Sequence, residues 1–203
     1  MVPIQINKDA KYTGCGKSSI VYQIEDTKAL NIFYKKPYLE VERIFNLMRI
    51  ARENEIHVPF AEEINYANID FNQFRKISIW DRYKLLLYSQ PPITSNIIGK
   101  NFPVLKRQFI SGINLETFIL PKKEIREKIN KEMLKMKKAR IKSLDLNCSN
   151  YILTHDNELY LIDCENLYLE NEIQEYMIKK LLRKKPPICK TQQWFVDIIA
   201  SFF

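Results

Sequence analysis

Three side chains in the second half of the sequence could do chemistry together: Asp145, Asn150 and Asp163. Asp145 and Asn150 bound the run Asp145-Leu146-Asn147-Cys148-Ser149-Asn150, after which Tyr151-Ile152-Leu153 is apolar. A second apolar run, Leu159-Tyr160-Leu161-Ile162, ends in Asp163. A carboxylate can accept the proton of an attacking hydroxyl, and carboxylate and amide oxygens are hard ligands for Mg²⁺ beside phosphates. Phosphoryl transfer is one chemistry that uses both. Taken singly, Asp145 and Asn150 read as turn residues and Asp163 as a strand-end cap. The combination, flanked by apolar strands, favours the chemical reading.

The surrounding elements must bring these groups together. A polar loop over 143–150 turns Asp145 and Asn150 to one side. Strands over 151–153 and 159–162, joined by Thr154-His155-Asp156-Asn157, return Asp163 beside them. Upstream, β-branched and aromatic runs at 19–24 and 29–35 flank the polar break Glu25-Asp26-Thr27-Lys28 and predict an antiparallel hairpin. Pro37 opens a helix over 38–54, with Val41, Ile44, Phe45, Met48 and Ala51 on one face. Residues 56–60 leave it extended. The pattern over 61–100 is weak, with a short helix at 82–88 and a loop at 89–92. Residues 102–110 read as a strand ended by Ser111-Gly112. Pro121 starts a second helix that places Ile125, Ile129, Met133 and Met136 on one side. The remainder reads as mostly helical, broken at Pro186-Pro187. Strands and helices are segregated, which argues for α+β over a doubly wound sheet.

Composition narrows the class. With 203 residues and 46% hydrophobic content, one domain or one domain of two lobes can bury a core unaided. The net charge of +8 favours anionic partners without choosing among them, and the basic runs at 122–142 and 173–185 read first as solvated helix faces. Cys15, Cys148, Cys164 and Cys189 have no metal-ligand spacing and are expected to be reduced thiols serving mainly as apolar filler. His57 and His155 have no paired acid or cysteine in the sequence, and Trp80 and Trp194 form no stacking pattern, so nucleic acid is not indicated. No signal core or spanning segment is seen, and the expected location is the cytoplasm.

The run from Asp145 to Asp163 resembles the protein-kinase superfamily, whose catalytic loop reads H-R-D-x-x-x-x-N and whose following strand ends in the aspartate of D-F-G. The resemblance makes Asp145 the catalytic base and Asn150 and Asp163 the metal ligands, with ATP and Mg²⁺ as cofactors. Tyr12-Thr13-Gly14-Cys15-Gly16-Lys17-Ser18-Ser19-Ile20-Val21 resembles the Gly-rich loop, with Ser19 for the third glycine. Gly14 and Gly16 would then cover the phosphates and Val21 pack on the base. Gly16-Lys17-Ser18 also fits the end of G-x-x-x-x-G-K-[ST], but Lys11 stands where that motif needs glycine, and a strand follows where it needs a helix. The V-A-I-K lysine matches Lys35 in Ile32-Phe33-Tyr34-Lys35, or else Ala29-Leu30-Asn31 occupies the motif with Asn31 for the lysine. Its glutamate partner is Glu40 or Glu42. Arg107 to Leu115 resembles the hinge, where backbone groups around Gln108 and Ile110 would meet the adenine edge.

Ser143-Leu144 stands for H-R, Cys164-Glu165 for F-G, and Asn147 for the lysine that follows the base. No A-P-E motif follows. The resemblance therefore implies an α+β, bilobal protein-kinase-like fold with a truncated helical C-lobe. Residues 1–203 form a single domain in this reading: an N-lobe over 1–107, and hinge and C-lobe over 108–203. The layout is similar to minimal bacterial Ser/Thr kinases, including effectors delivered into host cells. It implies a protein substrate with a Ser or Thr hydroxyl, and control by an activating protein partner where no activation loop exists. Two alternatives stay open. A small-molecule, aminoglycoside-kinase-like phosphotransferase is suggested by Ile56-His57-Val58-Pro59, and a non-catalytic pseudokinase by Asn31, Leu144 and Glu165.

Overall fold

The computed structural model describes residues 4–6, 8–16, 18–69, 75–81, 100–117, 122–145 and 147–173. The helix expected over 82–88, the loop at 89–92, the helix start at Pro121 and the region from 174 onward, with its Pro186-Pro187 break, lie outside the described residues. The chain divides into two compact units, residues 1–168 and 169–203. In the second, the Leu169 N–H donates to Glu172 Oε2 at 3.0 Å.

The first unit is mixed α and β. Strands β1 (Ile4–Gln5), β2 (Lys11–Cys15), β3 (Ser19–Glu25) and β4 (Lys28–Phe33) precede helix α1 (Tyr38–Glu53). Strands β5 (Ala61–Asn68) and β6 (Asn101–Gln108) complete a six-stranded sheet in the order β1-β5-β6-β4-β3-β2. The β3–β4 hairpin forms where the β-branched and aromatic runs and the polar break predict it. Strand β5 is the element that the sequence hides. Its Ala61-Glu62-Glu63-Ile64-Asn65-Tyr66-Ala67-Asn68 is polar and only partly buried, so the period-2 signal is weak. Pairing along its length with β6 supplies what its composition does not.

One face of this sheet, with Ile20, Tyr22, Leu30, Ile32 and Val104, makes a core with Ile6, Ala10, Ile69 and Ile77. Full burial of each large apolar side chain there is worth about 1.5–3 kcal/mol. The other face is read from the register: Val21 lies opposite Asn31, Asn31 opposite Leu105, and Ala29 opposite Arg107. Directly opposed residues share a face, so Val21, Asn31, Leu105 and Arg107 project the same way. Helix α1 buries Val41, Ile44, Leu47, Met48 and Ala51 and packs on β5 and β6. Tyr38 stacks on Tyr66 at 5.2 Å between ring centroids.

Strand β7 (Ile113–Asn114) is followed by helix α2 (Lys122–Lys138), β8 (Ile141–Ser143) and a 3-10 turn at Cys148–Asn150. Strands β9 (Tyr151–Leu153), β10 (Leu159–Leu161) and β11 (Leu167–Leu169) come last. The small sheets are β10-β9-β7 and β11-β8. Asn157 takes the left-handed conformation in the β9–β10 turn, φ 61°, which asparagine tolerates better than most residues. Gly112 is required where the chain enters β7: a Cβ there would stand 2.3 Å from the Leu153 carbonyl oxygen. Helix α2 differs from the expected face, because Met133 is 43% exposed and Glu132 is buried in its stead. Among the described residues no helix is long and apolar enough to cross a membrane.

Candidate functional site

The loop before β9 is built by its own polar side chains. The Asn150 side-chain amide donates to the Asp145 carbonyl at 3.1 Å, and Asn147 Oδ1 accepts from the Ser149 N–H at 3.3 Å. The Ile162 N–H donates to the Asn150 carbonyl at 2.8 Å, which ties the end of β10 to this loop. Local bonding of this kind is why the D-x-x-x-x-N spacing and the following hairpin bring Asp145, Asn150 and Asp163 to the same place. All three line a cleft of about 1030 Å³.

Across the cleft lie Gly14, Gly16, Ser18, Ser19 and Val21 from the β2–β3 hairpin, with Gln108 at the end of β6 and Ile110 after it. At Gly14 an added Cβ would meet nothing within 4 Å, and at Gly16 it would make only ordinary contacts with Ser19. Packing therefore does not account for either glycine; both leave bare backbone over the cleft.

Asp163 is held above the usual carboxylate range, first by burial and then by the neighbouring Glu165 charge. The Glu165 N–H, donating to Asp163 Oδ1 at 3.0 Å, opposes this, and Asp145 adds to the upward push. A site that crowds carboxylates and penalises their charge is suited to a cation. No group of three or more His, Cys, Asp or Glu side chains able to hold a metal ion occurs among the described residues. The hard-oxygen set here would be Asn150 and Asp163, with ligand phosphates supplying the rest. Burial pushes the Cys164 thiol up to about 12, so it stays protonated and fits the expected role of filler. Cys15, Cys148 and Cys164 are free thiols.

The structure places Lys35 outside the cleft lining. Strand β4 ends at Phe33, so the side-chain alternation does not extend to residues 34–36. Lys35 is exposed, its ammonium 5.6 Å from the Tyr34 ring centroid, and it is not among the residues lining the cleft. Lys36 lines the cleft in its place, paired with Glu40 Oε1 at 2.8 Å and with Glu165 Oε2 at 3.6 Å. Glu40 is thus the helix glutamate that meets a lysine. Neither Glu40 nor Glu42 is itself among the cleft residues. Asn31 holds the strand position level with Val21 and lines the cleft.

Three further residues make contacts at the cleft or beside it that the sequence did not indicate. Glu165 accepts hydrogen bonds from the Ser18 hydroxyl and from the Ser19 hydroxyl, the latter at 2.7 Å. Arg43 on α1 donates to the Leu167 and Glu165 carbonyls at 2.7 and 3.3 Å and lies 4.3 Å over the Tyr168 ring. Arg107 lies in the cleft wall, 8% exposed. Alternation along 102–108 would have placed Arg107 on the same face as Leu105; Glu165 and Arg43 meet partners over 120 positions away and left no local signal. Neither a scan against protein-family models nor a search of curated proteins finds a match for this chain.

Proposed function

We propose that this chain is a Mg²⁺- and ATP-dependent phosphotransferase of protein-kinase type, acting on a Ser or Thr hydroxyl of a protein. The observation that carries the reading is the convergence of Asp145, Asn150 and Asp163 on one cleft whose opposite side is the bare-backbone hairpin of Gly14 and Gly16. In this reading the fold is bilobal and kinase-like. Asp145 takes the proton as the hydroxyl oxygen bonds to the γ-phosphorus and the bond from that phosphorus to the ADP oxygen breaks. Asn150 and Asp163 would hold Mg²⁺, which supplies charge neutralisation at the phosphates. Lys36, oriented by Glu40, offers a cation to the same space. The bond between Glu165 and the loop serines supports a hairpin held over the site without a phosphorylated activation loop.

The test is transfer of label from γ-radiolabelled ATP with Mg²⁺ to proteins of a lysate. Wild type should label protein. Asp145→Ala should lower the rate about 10²–10⁴-fold, the usual worth of a general base, and Asp163→Ala should abolish transfer, both with the far-UV circular dichroism of wild type. Persistent labelling by both variants ends the proposal. A second reading, nucleotide binding without transfer, is favoured by Asn31 and by the engagement of Lys36 with two carboxylates. It predicts ATP binding with no label on protein or on small alcohols.

A further inference from the structure

Arg107 is a buried cation with no carboxylate in contact among the described residues. It is 8% exposed, its Nε has no hydrogen-bond partner, and its guanidinium makes no ion pair among the described residues. Burying an unpaired guanidinium costs several kcal/mol, so a fold that keeps one in the wall of its cleft implies an anion that arrives later. Its neighbour Lys106, on the opposite face of the same strand, shows the ordinary alternative: it pairs with Glu62 at 3.2 Å.

The surroundings indicate what the anion is. Asn31 also lines the cleft, 9% exposed, and its Oδ1 has no partner. The register sets Asn31 opposite Leu105, one alternation from Arg107 on the same sheet face, so the two are diagonal neighbours. A neutral amide thus stands on β4, and the buried positive charge comes from the adjoining strand β6. Burial pushes Arg107 below the ordinary arginine range, and among the charges that pull it back are Asp163 and Glu165. Those carboxylates act without an ion pair to it, and they line the same cleft as Arg107. A neutral purine edge would leave the guanidinium uncompensated, whereas a phosphate oxyanion would neutralise it and take its fork of donors.

We infer that Arg107 is the phosphate-binding cation of this site, supplied by β6 in place of a lysine on β4 at position 31. The inference rests on the phosphotransferase reading.

The experiment is calorimetric titration of the full chain with MgATP, MgADP and adenosine, for wild type and Arg107→Met. Wild type should bind all three. Arg107→Met should lose about 10- to 100-fold in affinity for MgATP and MgADP, the worth of a charged hydrogen bond, and keep its affinity for adenosine. Its ligand-free Tm should equal or exceed that of wild type, because an unpaired buried charge has been removed. Wild-type affinity for MgATP in the variant overturns this assignment alone. Equal losses for adenosine and MgATP, or a variant that does not fold, overturn it too, since the guanidinium would then shape the cleft or hold the sheet. A wild type that binds no MgATP removes the phosphotransferase reading and this inference with it.

Discussion

Asp163 is needed for its charge in a place that penalises charge. Burial and Glu165 raise its pKa in the fold. The sign follows from linkage. The native state favours protonated Asp163, so that contribution to stability is complete below the unfolded carboxylate value, about 3.9. It is lost as pH rises through the higher folded value. At neutral pH the ionised side chain therefore lowers the stability of the ligand-free protein. Asp163→Asn should raise the ligand-free Tm at pH 7.5, and the gain should shrink as pH falls and vanish well below about 3.9, where both states of the wild type are protonated. Thermal denaturation at the two pH values checks this; a variant less stable than wild type at pH 7.5 would show that the carboxylate is structural. The paired Lys36 and the unpaired Arg107 complete the picture at this scale. One cation is already oriented by Glu40 and Glu165, and the other has no counter-charge in contact among the described residues.

At the scale of elements, helix α2 does more than cover a sheet. Its buried Glu132 accepts from the His57 N–H at 2.9 Å and from Lys135 Nζ at 2.8 Å. Lys135 also donates to the Glu55 carbonyl at 2.7 Å. The His57 carbonyl in turn accepts from the Leu161 N–H at 2.9 Å, and its ring stacks on Tyr160. One carboxylate thus fastens the α1–β5 connection to the helix, and that connection is fastened to β10, two residues before Asp163. Glu132→Ala leaves a part-buried N–H without its acceptor and Lys135 without its carboxylate, and should cost about 1–3 kcal/mol. Glu132→Gln, which keeps an acceptor, should cost less. Urea denaturation of the two variants orders them, and equal stabilities would show that the network carries no weight. The sequence places Met133 on this buried face because a 3.6-residue period allows residue 132 or 133 after Ile129. The buried N–H of His57, distant in sequence, decides for the glutamate.

At the scale of the molecule, the six-stranded sheet supplies one wall of the cleft and the loop before β9 supplies the other. A ligand that touches both binds the native state alone, so it stabilises by mass action, by about 2.7 kcal/mol at a hundred times its Kd. ATP should therefore raise Tm strongly with Mg²⁺ present and weakly with EDTA, and Asp163→Asn should lose most of that difference. A Mg²⁺-independent shift in wild type would argue against metal-bridged phosphates. What the sequence by itself determined is what lies close along the chain. The β3–β4 hairpin, α1 and the loop-and-hairpin unit from Asp145 to Asp163 each depend on turn chemistry and periodicity within a few residues. Their side chains arrive together because the backbone between them is short and self-bonded. What only the tertiary structure decided is which cation enters the cleft and which acid meets the roof. Lys36 rather than Lys35, the burial of Arg107, and the bonds of Glu165 to Ser18 and Ser19 depend on packing between distant segments. Desolvation and pairing are set there by neighbours that no local pattern names.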